Sequence, residues 1–323
     1  MSDLAVVTED LRRVFAERPA VDGIDLSVRA GEIYGFLGPN GAGKSTTVRM
    51  LTTLLLPTSG TARVAGHDVV HQPVEVRLRI GAALQDAALD PKQTGRELMR
   101  LQGRLYGLSG RDTERRIREL EPLIDIGDAL DRRISTYSGG MKRRLDLAAS
   151  LIHNPEVLFL DEPTTGLDPI SRSRVWDEVR RINRDLGVTI FLTTQYLEEA
   201  DALADRIGII NHGVIAAEGR PADLKRRLGA DVIVARVEGD TAAAKRVIEA
   251  IDAVEAVDAY EGEIAVRVVN GAGFISTVAL ALNASSIRVS ELTLRTPTLD
   301  DVFLSVTGAR LRQEEAKDVE AGQ

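Results

Sequence analysis

The chain has no cysteine in its 323 residues. Disulfides, thiol catalysis and cysteine-ligated zinc are therefore excluded, and a reducing cytosol is compatible with it. Histidine is scarce: His67, His71, His153 and His212 are the only 4. His67 and His71 have helical metal-ligand spacing, but their segment reads as a hairpin running into Pro73, with no third ligand nearby, so they are read as surface residues. No apolar run approaches the ~18 uncharged residues of a membrane span, and Phe274 to Ala284 comes nearest. The start, Met1-Ser2-Asp3, lacks a basic region followed by an apolar one, so no signal peptide is read. Work at a membrane would have to go through a partner. Positive charge is in the minority, with Lys plus Arg at 41 against 49 Asp plus Glu and a net charge of −8. That balance argues against nucleic acid as the main partner. The apolar fraction of 44% is enough for a sizeable core, and the length suits two domains.

What is present is more telling. Gly38-Pro39-Asn40-Gly41-Ala42-Gly43-Lys44-Ser45 has the P-loop spacing, which binds nucleotide phosphates. Glycines let successive backbone N–H groups turn inward as an anion nest. Lys44 can reach the β- and γ-phosphates, and the Ser45 hydroxyl can ligate Mg²⁺. The apolar run Ile33 to Leu37 before the loop predicts a strand. Thr46 to Leu54 after it predicts a helix whose N-terminus faces the phosphates.

Other short apolar runs alternate with amphipathic segments up to about residue 229. Ile24–Val28, Ile80–Leu84, Val157–Leu160, Thr189–Thr193 and Arg206–Ile210 read as further strands of an α/β domain. Residues 93 to 133 carry helical spacing, many arginines and no strand-like run, and read as a helical insertion. After Gly229-Ala230 the order changes to a strand at Val232–Val237, a helix at Ala242–Ile251, strands at Val254–Ala259 and Glu263–Val269, a helix at Gly273–Ala284 and a strand at Ile287–Leu292. This β-α-β-β-α-β order is ferredoxin-like. Thr298 with Asp301 resembles a capping box opening a last helix, with Leu299, Val302, Phe303 and Val306 on one face and Gly308 placed to end it. Beyond Arg310 the chain is polar and charged and reads as a disordered tail.

Two more segments carry chemistry. Val157-Leu158-Phe159-Leu160-Asp161-Glu162 is an apolar strand ending in two carboxylates. In P-loop NTPases an Asp so placed helps to hold Mg²⁺, and the adjacent Glu162 could polarise an attacking water. Tyr137-Ser138-Gly139-Gly140-Met141 precedes the apolar-periodic run Leu145–Ile152. Ser138 suits an N-cap there, and the glycines leave N–H groups open to an anion. Lys142-Arg143-Arg144 follows and reads as a solvated helix face.

In this order and together, these segments resemble the ATP-binding subunits of ABC transporters over residues 1 to about 220. The P-loop resembles Walker A, Ser138-Gly139-Gly140-Met141 the L-S-G-G-Q signature, Val157–Glu162 Walker B with its catalytic glutamate, and Gly166-Leu167-Asp168 the D-loop. Gln85 resembles the Q-loop glutamine, and Phe15 sits where the family commonly places an aromatic that stacks on adenine. The sequence departs from the family at Tyr137 and Met141 and, more consequentially, at Gln195, which occupies the switch-histidine position. Glutamine can donate a hydrogen bond to a γ-phosphate but cannot titrate near neutral pH. Slow hydrolysis is therefore expected. Thr193-Thr194-Gln195-Tyr196 and Leu299-Asp300-Asp301-Val302-Phe303 look like the drug-resistance exporter branch, similar to daunorubicin- and doxorubicin-resistance ATP-binding subunits.

The resemblance implies an ABC-type P-loop NTPase at 1–229 with a helical subdomain at about 86–137, an accessory α+β domain at 230–310, and the tail at 311–323. It implies ATP and Mg²⁺ as cofactors, with Glu162, Lys44, Gln85 and Gln195 catalytic. Phe15, Gly38 through Thr46 (Gly38, Pro39, Asn40, Gly41, Ala42, Gly43, Lys44, Ser45, Thr46), Ser138, Gly139, Gly140 and Asp168 would bind nucleotide, and Ser45, Gln85 and Asp161 would hold the metal. It further implies a homodimer closing head to tail on ATP, each nucleotide lying between one P-loop and the other copy's signature. The partner would be a separate membrane permease contacted by the helical insertion, with the chain peripheral on the cytoplasmic face of the membrane, powering export of an antibiotic-like compound. The alternatives are a soluble ABC-type ATPase in DNA repair or translation, against which the acidic charge and the lack of coiled-coil insertions stand, and a low-turnover nucleotide-gated regulator, which Gln195 favours.

Overall fold

In the computed structural model, residues 3–84, 89–124, 127–229, 231–252, 254–260, 262–268 and 271–307 are described. Gln85, Gly308 and the tail at 311–323 lie outside them. The chain divides into two compact units, Met1–Pro221 with Val306–Gln323, and Ala222–Ser305.

The first unit opens with two long antiparallel strands, β1 (Leu4–Phe15) and β2 (Arg18–Arg29), joined through Ala16 and Glu17. β3 (Ile33–Leu37) runs through the P-loop into α1 (Lys44–Leu51). The helix begins two residues earlier than its apolar pattern predicts and stops at Leu51, with Thr52 as C-cap and Thr53 in the left-handed region at φ 63°. Next come β4 (Ser59–Val64), β5 (His67–Asp68), α2 (Pro73–Arg79) and β6 (Ile80–Ala83). The insertion contains α3 (Gly95–Leu105), α4 (Gly110–Ile124) and two short 3₁₀ turns, and leads into α5 (Gly139–Leu151). The core resumes with β7 (Val157–Asp161), α6 (Pro169–Leu186), β8 (Thr189–Thr194), α7 (Leu197–Leu203), β9 (Arg206–Asn211) and β10 (Val214–Gly219).

These strands form two sheets. One is antiparallel, in the order β2-β1-β4-β5; the other has the order β10-β9-β3-β8-β7-β6 and is parallel except at β10. The central strands β3, β7 and β8 are buried along their whole length, which is why they read as unbroken apolar runs. The period of two sends their side chains alternately into two cores. Tyr34, Phe36, Phe159 and Phe191 join Val6, Leu26, Val48 and Val64 in the core between the sheets. Leu158, Leu160, Ile190 and Leu192 join Met99, Ile117, Leu145 and Val179 in the core beneath the helices. Phe191 centres the first core, with ring centroids 5.5 to 5.6 Å from those of Tyr34, Phe36 and Phe159.

The second unit contains all but the first residue of α8 (Pro221–Leu228), then β11 (Asp231–Glu238), α9 (Thr241–Glu249), β12 (Val254–Tyr260), β13 (Glu263–Val268), α10 (Gly271–Ala284), β14 (Arg288–Arg295) and most of α11 (Leu299–Thr307). Its sheet order β12-β13-β11-β14, with antiparallel neighbours throughout, is the ferredoxin-like arrangement expected from the sequence. Ile233, Ala235, Val237, Ile264 and Val266 face Ile248 of α9 and Val278 and Leu282 of α10. The apolar run nearest a membrane span is thus part of a 14-residue helix that puts Val278 and Leu282 in this core and packs Phe274, Ile275 and Ala281 against it. Among the described residues no helix is long and apolar enough to cross a membrane. The Thr298/Asp301 capping box is formed: the Thr298 N–H donates to Asp301 Oδ2 at 2.9 Å and the Asp301 N–H to Thr298 Oγ1 at 3.3 Å.

Candidate nucleotide site

The parallel sheet brings three carboxyl ends side by side. β8 lies between β3 and β7, with Leu37 opposite Thr194 and Asp161 opposite Thr193. The P-loop, Gln195 and the Asp161-Glu162 pair therefore leave adjacent strands at one edge, the place where open α/β sheets bind ligands.

Two glycines make the loop possible. A Cβ on Gly38 would stand 2.4 Å from Ile210 O, and one on Gly43, whose φ is 111°, 2.4 Å from Ala20 O. No side chain fits either position, so the backbone closes into a nest at the N-terminus of α1. Lys44 Nζ donates to Gly38 O at 2.8 Å and Pro39 O at 3.3 Å, and pairs with Glu162 Oε1 at 3.3 Å. Burial pulls the Lys44 ammonium below its ordinary value, while the carboxylates of Glu162 and Asp161 oppose that shift.

Ser45 Oγ donates to Asp161 Oδ1 at 3.3 Å, and Thr193 Oγ1 donates to the same oxygen. One hydroxyl and one carboxylate beside a phosphate nest is a hard-oxygen donor set that fits Mg²⁺, which takes one or two carboxylates plus phosphate oxygens and water. Glu162 has φ 48°, and its N–H donates to Thr193 O and Thr193 Oγ1, both at 3.1 Å. Thr165 Oγ1 donates to Glu162 Oε2 at 3.3 Å.

The remaining predicted residues have settings of their own. Phe15 is 45% exposed at the β1–β2 turn, with the Arg13 guanidinium carbon 4.5 Å from its ring centroid. Ser138 caps α5, accepting from the Met141 N–H at 3.3 Å. Ser138 and Gly139 are exposed, and nothing lies within 4 Å of where a Gly139 Cβ would stand. Asp168 caps α6, accepting from the N–H groups of Ile170 and Ser171 and from Ser171 Oγ, whose hydrogen bond lowers its pKa. Gln85 falls outside the described residues.

One expectation is overturned. Lys142-Arg143-Arg144 is not a uniformly solvated face. Arg143 and Arg144 are each 12% exposed. Arg143 reaches main-chain oxygens of β6, β7 and the following turn, and Arg144 Nε lies 3.7 Å from Glu178 Oε1. Both aliphatic stems turn inward because α5 packs on the sheet, a tertiary fact that a run of three bases does not carry. Sequence reasoning also missed Glu199. It is fully buried on α7 and accepts from Thr164 Oγ1 at 2.9 Å and Trp176 Nε1 at 3.0 Å, and burial raises its pKa. Its signal in the sequence, an acidic residue in an otherwise ordinary helical turn, is too weak to find it.

Comparison with known proteins agrees with this geometry. Residues 21–165 match the ABC transporter family, and residues 219–307 match the family described as ATP-binding protein DrrA1-3-like, C-terminal domain. The chain is 47% identical over 321 residues to the daunorubicin resistance ATP-binding protein DrrA2 of Streptomyces coeruleorubidus, covering 98% of this chain and 99% of that one. It is 47% identical over 307 residues to the daunorubicin/doxorubicin resistance ATP-binding protein DrrA of Streptomyces peucetius, covering 94% and 92%. Among solved structures it resembles cbiO1 of Clostridium perfringens, part of the ABC transporter complex cbiONQ, with a TM-score of 0.65, 25% identity, and coverage of 69% of this chain and 91% of that one. The chain belongs to the ATP-binding proteins of ABC transporters, with a C-terminal domain of the DrrA type.

Proposed function

We propose that the chain hydrolyses ATP to power a separate membrane permease that exports an antibiotic-like compound. The observation that carries the reading is the convergence of Lys44 and Ser45 at the start of α1 with Asp161 and Glu162 at the end of β7, through contacts of 3.3 Å. Phosphoryl transfer needs positioning and charge neutralisation more than covalent help. The nest and Lys44 would hold the β- and γ-phosphates. Ser45 and Asp161 would hold Mg²⁺, which when bound neutralises charge on the phosphate oxygens. Glu162 would accept a proton from the attacking water, and Gln195 would donate to the γ-phosphate. Phe15 would stack on adenine.

The exposed N-terminus of α5 is suited to a second anion partner. Two copies arranged head to tail would place each nucleotide between one P-loop and the other copy's Ser138-Gly139-Gly140. The γ-phosphate then bridges two helix N-termini, and its loss reopens the dimer as a population shift. Drug export is supported by the daunorubicin and doxorubicin resistance for which the relatives above are named. Permease contact is supported by a groove of about 230 Å³ beside the helical insertion, lined by Leu54, Arg77, Gln102, Tyr106 and Asp146. Leu54 is 61% exposed there, and unburied apolar surface of this kind marks interaction sites.

The test is mass spectrometry of partners captured with the full chain from gently solubilised native membranes. A stoichiometric multi-span protein that raises ATP turnover on co-reconstitution is the expected result. Recovery only from the soluble fraction, with ribosomes or DNA-repair proteins, would overturn the exporter reading.

A further inference from the structure

Arg143 lies in the second turn of α5. Its guanidinium is enclosed by main-chain oxygens from two strand ends. Nη1 donates to Leu84 O at 3.0 Å, Nε to Pro163 O at 3.1 Å, and Nη2 to Ala83 O at 3.3 Å and Asp161 O at 3.4 Å. Nη1 also reaches Asp146 Oδ2 at 3.4 Å. A guanidinium has five N–H donors in a rigid fork, and here five acceptors surround it.

Two of those oxygens flank one residue. Asp161 and Pro163 stand on either side of Glu162, whose φ of 48° lies in a region that residues other than glycine seldom occupy. Such a conformation persists only where its surroundings over-determine it. Thr193 holds the Glu162 N–H, and Arg143 holds the carbonyls before and after. The other two main-chain oxygens, on Ala83 and Leu84, immediately precede Gln85.

We propose that Arg143 is a positioning residue for hydrolysis: it fixes the left-handed turn that aims the Glu162 carboxylate and ties that turn to α5, the helix that the Ser138-Gly139-Gly140 signature opens. The inference rests on the reading of Glu162 as the residue that activates water. Lysine would keep the charge but not the fork, so it would hold some of the four carbonyls and not all.

The test compares the full chain with Arg143→Lys, Arg143→Gln, Glu162→Gln and the Arg143→Gln/Glu162→Gln double variant. Steady-state phosphate release gives kcat, and equilibrium binding of a fluorescent ATP analogue with Mg²⁺ gives Kd. A misplaced catalytic group predicts a fall in kcat of about 10- to 100-fold for Arg143→Gln, with Kd changed less than about threefold. Arg143→Lys is expected to recover part of the loss. In the Glu162→Gln background, Arg143→Gln should cost nothing further, since residues that act through one another are not additive. Should Arg143→Gln fail to fold, Arg143→Lys carries the same kcat-against-Kd comparison. Wild-type kcat in the Arg143 variants beside an inactive Glu162→Gln overturns the inference, as does an Arg143→Gln loss that recurs in full without Glu162. Wild-type turnover in Glu162→Gln is a different failure, which removes the catalytic assignment underneath.

Discussion

Lys44 Nζ and Glu162 Oε1 stand 3.3 Å apart with both side chains at least nine-tenths buried, although one opens α1 and the other follows β7. The ammonium that should reach the γ-phosphate and the carboxylate that should activate water are thus held together by the fold. Removing one partner of such a buried pair leaves the other uncompensated, which costs about 3 kcal/mol or more. Lys44→Ala should therefore lower stability in urea unfolding as well as ATP affinity. Lys44→Ala/Glu162→Gln should regain most of the stability and none of the affinity. Equal stability of the single and double variants would show that the pair contributes nothing.

Phe15 is expected to act on the base alone. Base–aromatic stacking is worth about 1–3 kcal/mol, so Phe15→Ala should raise the Kd for ATP roughly 5- to 150-fold. Binding of inorganic triphosphate, which has no base, should be unchanged. Equal losses for both ligands would contradict the assignment.

Gln195 leaves β8 between the strands that carry the P-loop and Glu162. A neutral amide there can donate but not titrate. Gln195→His is expected to raise turnover and to add a pH dependence near the histidine range. A fast native enzyme slowed by the substitution would show that the amide is the better group at this position.

Two buried groups beside the insertion set opposing pH slopes. His153 stacks on Tyr106 with centroids 3.6 Å apart, and its Nε2 lies 2.9 Å from Ile80 O; burial holds its pKa down at about 4. The unfolded chain then binds more protons, so this contribution to stability is lost as pH falls from 6.5 toward 4. Burial raises Asp146 from 3.8 to about 6, against the opposing charge of Arg143. Its contribution runs the other way, present below 3.8 and lost as pH rises through about 6. His153→Gln should make stability fall more steeply with rising pH across this window, and Asp146→Asn should make it rise, each by about 3 kcal/mol in total. Parallel pH profiles for both variants and the native chain in chemical unfolding would exclude the shifts.

Strands buried on both faces were legible as unbroken runs, and strands of the second unit such as β11 and β13 as alternating ones. Ile33–Leu37, Val157–Leu160 and Thr189–Thr193 are unbroken apolar or β-branched runs because no face of them meets water. β1 was not legible: Glu9, Asp10, Arg12 and Arg13 interrupt it, and its turn uses Ala16 and Glu17 at φ 42° and 68° where glycine or asparagine would signal a hairpin. The phosphate nest, the carboxylate pair and the Ser138 cap could be read because their chemistry lies in consecutive residues. Arg143 could not, since its partners at Ala83 and Leu84 are 60 and 59 residues away, and only the folded sheet brings them together.

The most direct test of the account is phosphate release from the purified chain with ATP and Mg²⁺, set beside Glu162→Gln under the same conditions. The account predicts measurable hydrolysis by the native chain, a loss of at least about 10²-fold in the variant, and ATP binding retained in both. Equal rates in the two proteins would contradict it.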